Sequence, residues 1–229
     1  MSEAFQSIIG FFAKGGVFMW PLLLCSVVSL TTIILRALAL REKNVLPLTI
    51  ENEIERFVPG ASPERLARMV HHDASSLARI VRVALAHLRW PRTDNIEAVQ
   101  TRARYEMVRL ERGVVVLEVI FGIAPLLGLI GTVSGLIHVF ASLGLSAGAA
   151  DAKRIAFGIS EALSTTVFGL GIAVPSLVAY SYFSKKVEVL SVEMESLVSD
   201  LISKLYYGRV APQAAPPRHA PSQVPTPVG

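Results

Sequence analysis

The chain is 229 residues long, 52% hydrophobic and only 17% charged, with a mean hydropathy of +0.51. That balance excludes an ordinary water-soluble domain and makes the bilayer the expected solvent. Its net charge of +4 is accompanied by no aromatic-interleaved basic patch, which excludes nucleic acid as a partner and leaves membrane topology as the reason for the charge.

Residues 1–16 read as an amphipathic segment on the outer side of the membrane, ahead of a first span over 17–40. From Val17 to Leu35 there are 19 residues without a charge, bounded by Lys14 and Arg36. At roughly 1.5 Å of rise per residue these cross a ~30 Å hydrocarbon core. Cys25, the single cysteine, lies inside this run as a small packed hydrophobe. The residue before it is Leu24, and the apolar run continues past it, so an anchor helix fits better than a removed leader.

Residues 41–112 hold 13 of the 22 Lys and Arg, and the positive-inside rule assigns this segment and the C-terminus to the cytoplasm. Lys14 disagrees, and the loop between the second and third spans holds only Lys153 and Arg154. Ser62-Pro63-Glu64 predicts a helix start with proline in the first turn, followed by apolar residues at helical spacing from Leu66 to Leu88, until Pro91 breaks it. Thr93 or Asp94 is the expected cap of a second helix that runs towards the next span.

The second span is expected over 113–145, because Val119 to Ala150 contains no Asp, Glu, Lys or Arg. That run exceeds a bilayer's thickness, so its small-residue end, Gly144 to Ala150, reads as a turn leading into an outer loop over 146–154. A third span over 155–184 carries one acid, Glu161, and ends at Lys185 and Lys186. A cytoplasmic helix over 185–209 follows, with an apolar stripe of Val187, Leu190, Met194, Leu197, Leu201 and Leu205. From residue 210 to 229 the chain is Pro-rich and expected to be disordered.

Within the spans Glu161 stands out, since an ionisable side chain costs roughly 2.5 to 3.5 kcal/mol at mid-membrane and usually faces water, a cavity or a partner. The alternative is an interfacial carboxylate near the outer helix end. Thr165 and Gly169 share its stripe, whereas Thr166 lies about 140° round the helix at ~100° per residue. In the second span Gly128, Gly131 and Gly135 read as helix-packing residues, as does Gly169 in the third. The Thr132 hydroxyl suits either a proton path or helix packing. Pro125 and Pro175 each interrupt a span and invite a kink. His138 reads as structural, and Glu118 is expected to pair with an arginine such as Arg112 or with a neighbouring subunit. The chain contains no metal cluster, phosphate loop or nucleophile constellation, so neither an enzyme nor a cofactor is expected.

Ala124-Pro125-Leu126-Leu127-Gly128-Leu129-Ile130-Gly131-Thr132-Val133-Ser134-Gly135-Leu136 resembles the second-span motif of ExbB and TolQ proteins in the MotA/TolQ/ExbB proton channel family. The stretch Gly158-Ile159-Ser160-Glu161-Ala162-Leu163-Ser164-Thr165-Thr166 through Pro175 resembles their third-span motif. The resemblance implies an all-α inner-membrane protein assembled as a homopentamer, its second and third helices lining a central pore. It also implies a dimer of a single-span ExbD- or TolR-like partner in the pore, a TonB- or TolA-like energy transducer, surrounding lipids, and protons as the ion carried. By position, Thr132, Glu161 and Thr166 look like the family's polar pore residues, and their spacing adds Thr165. Ser134 stands where many relatives have tryptophan, and the Pro-rich tail is outside the common pattern; both favour a generic ExbB-like reading. A TolQ-like envelope motor, a proton-coupled secondary transporter and a structural scaffold are the alternatives. The transporter would want an internal repeat, which the sequence lacks.

Overall fold

The computed structural model describes the backbone of residues 16–143 and 150–207, and the side chains of 16–141 and 155–207. The outer segment 1–15, the greater part of the Gly144–Ala150 turn and the Pro-rich tail lie outside the described residues. Among those described the chain is all-helical: α1 Met19–Ala39, α2 Glu42–Val45, α3 Leu48–Glu55, α4 Glu64–His72, α5 Ser76–Ala86, α6 Arg92–Glu111, α7 Val114–Leu143 and α8 Ala150–Tyr206.

Three helical stretches are long and apolar enough to cross a membrane. They are Met19–Ala39, Arg92–Ala141 and Ile155–Tyr206, with mean hydropathies of 2.2, 2.4 and 1.7 over their most apolar windows. Only 11%, 28% and 33% of those windows is buried within the chain, so lipid or protein must cover the rest. With 57 residues, α8 is about 85 Å long and projects far beyond a ~30 Å hydrocarbon core.

The part that projects gathers the short helices α2 to α5 and α6 around itself. Val187, Leu190, Met194, Val198, Leu201 and Leu205 form its buried stripe, packed against Ile50, Ile54, Leu77, Ile80, Val81 and Leu110. In water this apolar burial is the main stabilising term, at roughly 25 cal/mol per Å². The membrane part has a much smaller core of Met19, Leu22, Ile120, Ala124, Ile172 and Ala173. Lipid is itself apolar, so there the helices associate through close packing of small residues.

Four local expectations are corrected. The apolar run Leu66–Leu88 folds as two helices, because Asp73 Oδ1 accepts from the Ser75 amide at 2.7 Å and Ser75 Oγ caps α5 by accepting from the Ala78 amide at 3.2 Å. Neither Thr93 nor Asp94 caps α6: the helix starts straight after Pro91, and the Thr93 hydroxyl is bonded to the Asp94 carboxylate at 2.9 Å. The stretch from Ala150 onward, expected to lie in the loop over 146–154, is already helical. Pro63 directly precedes α4 and does not occupy its first turn. Between α6 and α7 only Arg112 and Gly113 intervene, and Arg112 keeps a helical backbone with φ −45° and ψ −39°. The Arg36 guanidinium lies against Gly113 and donates to the Leu110 carbonyl at 3.3 Å, tying the end of α1 to this joint.

Buried polar groups fix the helices of this bundle to one another. Glu106, fully buried, accepts from Arg79 Nε and Nη2, each at 2.9 Å, and pairs with Arg102 at 2.7 Å. Two arginines thereby offset the cost of burying one carboxylate. At the far end of α8 the Tyr206 hydroxyl accepts from Asn95 at 3.0 Å and donates to the Trp90 carbonyl at 3.0 Å. Two residues earlier, Lys204 donates to the carbonyls of Ile54 and Glu55, closing the C-terminus of α3.

Candidate functional site

The seam between α7 and α8 is built from residues with almost no side chain. A Cβ on Gly169 would stand 2.6 Å from the Ala124 carbonyl oxygen, and one on Gly128 3.0 Å from the Thr166 Cα. Gly135 faces Ala162 and Gly158 in the same way, and Gly131 faces the Thr165 side chain. The backbones therefore run close enough for hydroxyls on one helix to reach carbonyls on the other.

Thr132 and Thr166 meet in this seam. Their hydroxyl oxygens are 2.5 Å apart, and each lies 3.0 Å from the carbonyl oxygen of Gly128. Each hydroxyl carries one proton, so two protons serve three short contacts. Either threonine can donate to Gly128 while accepting from the other, and the two arrangements interconvert by rotating hydroxyls alone. Both residues are half-buried, which leaves the pair open on one side.

Glu161 lies five residues before Thr166, about 7.5 Å higher along α8. Its carboxylate is not brought to the threonine pair. Oε1 instead approaches Gly16, just ahead of α1, closely enough that a Cβ there would stand 2.8 Å away. Gly16 has φ +69°, a left-handed backbone that glycine adopts without penalty. The space Glu161 reaches towards is thus kept free by the residue type opposite.

Thr165 is 1% exposed and turns into the seam against Gly131, with its hydroxyl donating to the Glu161 backbone carbonyl at 3.1 Å. Sharing a stripe with Glu161 faces it towards α7 of its own chain, so it is a packing residue here and not part of an open wall. Helices α7 and α8 run without interruption through Pro125 and Pro175. His138 is exposed. Glu118 is also exposed and, among the described residues, makes no ion pair with Arg112. Six residues apart, Arg112 and Glu118 stand about 240° round from each other at ~100° per residue, on different sides of the chain.

Sequence reasoning missed a second hydroxyl pair. Ser29 of α1 and Ser176 of α8 are both buried with oxygens 2.7 Å apart, and Ser176 donates to the Ile172 carbonyl at 2.8 Å. A serine isolated in each span carries no periodic signal; only the α1–α8 crossing joins them.

The profile of the MotA/TolQ/ExbB proton channel family matches residues 69–196. A "Putative biopolymer transport protein ExbB-like 1" from Synechocystis is 38% identical over 179 residues, covering 74% of this chain and 67% of that protein. The "Biopolymer transport protein exbB1" of Vibrio cholerae is 33% identical over 169 residues, covering 71% and 72%. A "Biopolymer transport protein ExbB" from Helicobacter pylori is 45% identical over a shorter 82 residues, 36% of this chain and 56% of that protein.

Proposed function

This chain belongs to the MotA/TolQ/ExbB proton channel family, and from that premise we propose that it is the proton-conducting subunit of an ExbB-like motor in the bacterial inner membrane. The observation that carries the reading is the Thr132–Thr166 hydroxyl pair on the Gly128 carbonyl. It can accept a proton on one side and release one on the other while the helix backbones stay still. Glu161, on the same helix and nearer the outer end, is the group that delivers the proton to this level.

In this reading five copies surround a pore lined by α7 and α8, and a dimer of an ExbD- or TolR-like single-span protein carries a proton-binding aspartate inside it. A charge crossing the membrane releases about 2.3 kcal/mol per 100 mV. That energy turns one component within the other and drives a TonB- or TolA-like transducer. In this reading the N-terminus is periplasmic and the C-terminus cytoplasmic, which the 13 basic residues of 41–112 favour. The names of the matched relatives favour an ExbB-like role over a TolQ-like one.

The test is native mass spectrometry of the full chain in mild detergent, co-expressed with the ExbD-like protein of the same organism. Five copies holding two partner chains are expected, and Glu161→Gln should assemble equally while losing partner-driven transport. A monomer or dimer that ignores the partner, or full transport by Glu161→Gln, would overturn the reading.

A further inference from the structure

Below the threonine pair, where α6 and α7 pass α8, lies a cleft of about 460 Å³. Its floor is apolar, formed by Val114, Val115, Tyr180 and Val187, and its rim carries four carboxylates, Glu111, Glu118, Glu188 and Glu195. No lysine or arginine lines it. Glu188 is held by Lys185 at 2.9 Å, whereas Glu111, Glu118 and Glu195 make no ion pair among the described residues. Through Met107 and Glu195 the cleft continues into a second one of about 360 Å³, floored by Ile96, Val99, Ala103 and Val198 and lined also by Arg92 and Arg104, so the acidic character belongs to the first cleft. Together they form a groove of the kind that takes an amphipathic helix.

The groove lies on the same face as the threonine pair. Val114 is eighteen residues from Thr132, and Ser184, also in the cleft, is eighteen from Thr166. At ~100° per residue eighteen residues are five whole turns, so both helices bring the same face round again about 27 Å further down. Whatever stands beside Thr132 and Thr166 and continues towards the cytoplasm therefore descends into this groove.

We propose that the acidic first cleft of this groove docks the basic, amphipathic cytoplasmic flank of the single-span helix that occupies the pore, an inference that rests on the function proposed above. The argument is charge complementarity. Membrane spans carry lysine and arginine on their cytoplasmic flanks, and here an otherwise basic chain presents unpaired carboxylates above an apolar floor. Docking at this depth gives the partner's helix a fixed end while leaving the face of the threonine pair above it free for proton transfer.

The probe is a fluorescent fourteen-residue peptide of leucine and lysine at helical spacing, titrated by anisotropy against the full chain in phosphatidylcholine nanodiscs. Binding is expected to weaken roughly ten-fold in Glu118→Gln/Glu195→Gln, since exposed charge pairs contribute little singly and more as a cluster. It should be unchanged in Glu193→Gln, which lies outside the cleft, and absent for the peptide with glutamate in place of lysine. Equal binding by the double variant, or by the acidic peptide, would overturn the proposal. So would a changed subunit count in the double variant without peptide, which would make the groove a contact between copies of this chain. A groove that fails while the pentamer and its transport stand refutes only the docking. Peptide binding in a chain that neither assembles nor transports refutes the motor reading.

Discussion

Gly169 and Gly171 are two residues apart on one helix and face opposite environments. A methyl group at Gly169 would press on the Ala124 carbonyl and the Gly128 Cα, backbone atoms that no rotamer change can move; at Gly171 it would meet nothing within 4 Å. Gly169→Ala should therefore destabilise the chain by about 1–3 kcal/mol through overpacking. Gly171→Ala should be neutral or stabilising by up to ~1 kcal/mol, as alanine is the better helix former. Thermal unfolding in detergent distinguishes the two, and equal midpoints would mean that the seam is looser than its distances indicate. The threonines divide in the same manner. Thr165 is consumed by the seam, whereas Thr132 and Thr166 keep an open side and short contacts that share protons.

At the scale of helices, the bundle around the extension of α8 depends on groups that hydrophobic periodicity does not reveal. Glu106 falls within a charged stretch of α6 and looks like one more solvated acid until α5 brings Arg79 across it. Glu106→Gln should cost about 3 kcal/mol, because two arginines lose their counter-charge in a site closed to water. Denaturant unfolding of the detergent-solubilised chain measures it; a loss below ~1 kcal/mol would mean that water already screens the cluster. The same contrast explains what was legible in the sequence. Long uncharged runs mark the three apolar helices, and the stripe from Val187 to Leu205 marks the extension of α8, because both follow from burial alone. The division at Asp73–Ser75 was hidden because apolar spacing continues across it while two local side-chain bonds turn the backbone. For the site, Thr132 and Thr166 were found through the family motif. Their meeting at Gly128 could not be read, since it depends on the register of two helices joined by a loop.

The whole molecule leaves most of its three apolar windows uncovered and builds its main core outside them. Such a chain is finished by its surroundings, lipid or protein over the uncovered faces of α1, α7 and α8. With Cys25→Ser as background, Glu97→Cys should react with a membrane-impermeant maleimide only after the inner membrane is opened, as a cytoplasmic position must. Labelling in intact spheroplasts would invert the topology and with it the direction of proton entry. The central claim is that protons pass the Thr132–Thr166 pair. It is tested by proton uptake into liposomes containing the chain with its ExbD-like partner, driven by an imposed potential. Thr166→Val, which keeps the shape but removes the hydroxyl, should lower uptake at least about ten-fold, equivalent to ~1.4 kcal/mol in the barrier, while Thr166→Ser retains it. Undiminished uptake by an equally assembled Thr166→Val complex would contradict the account.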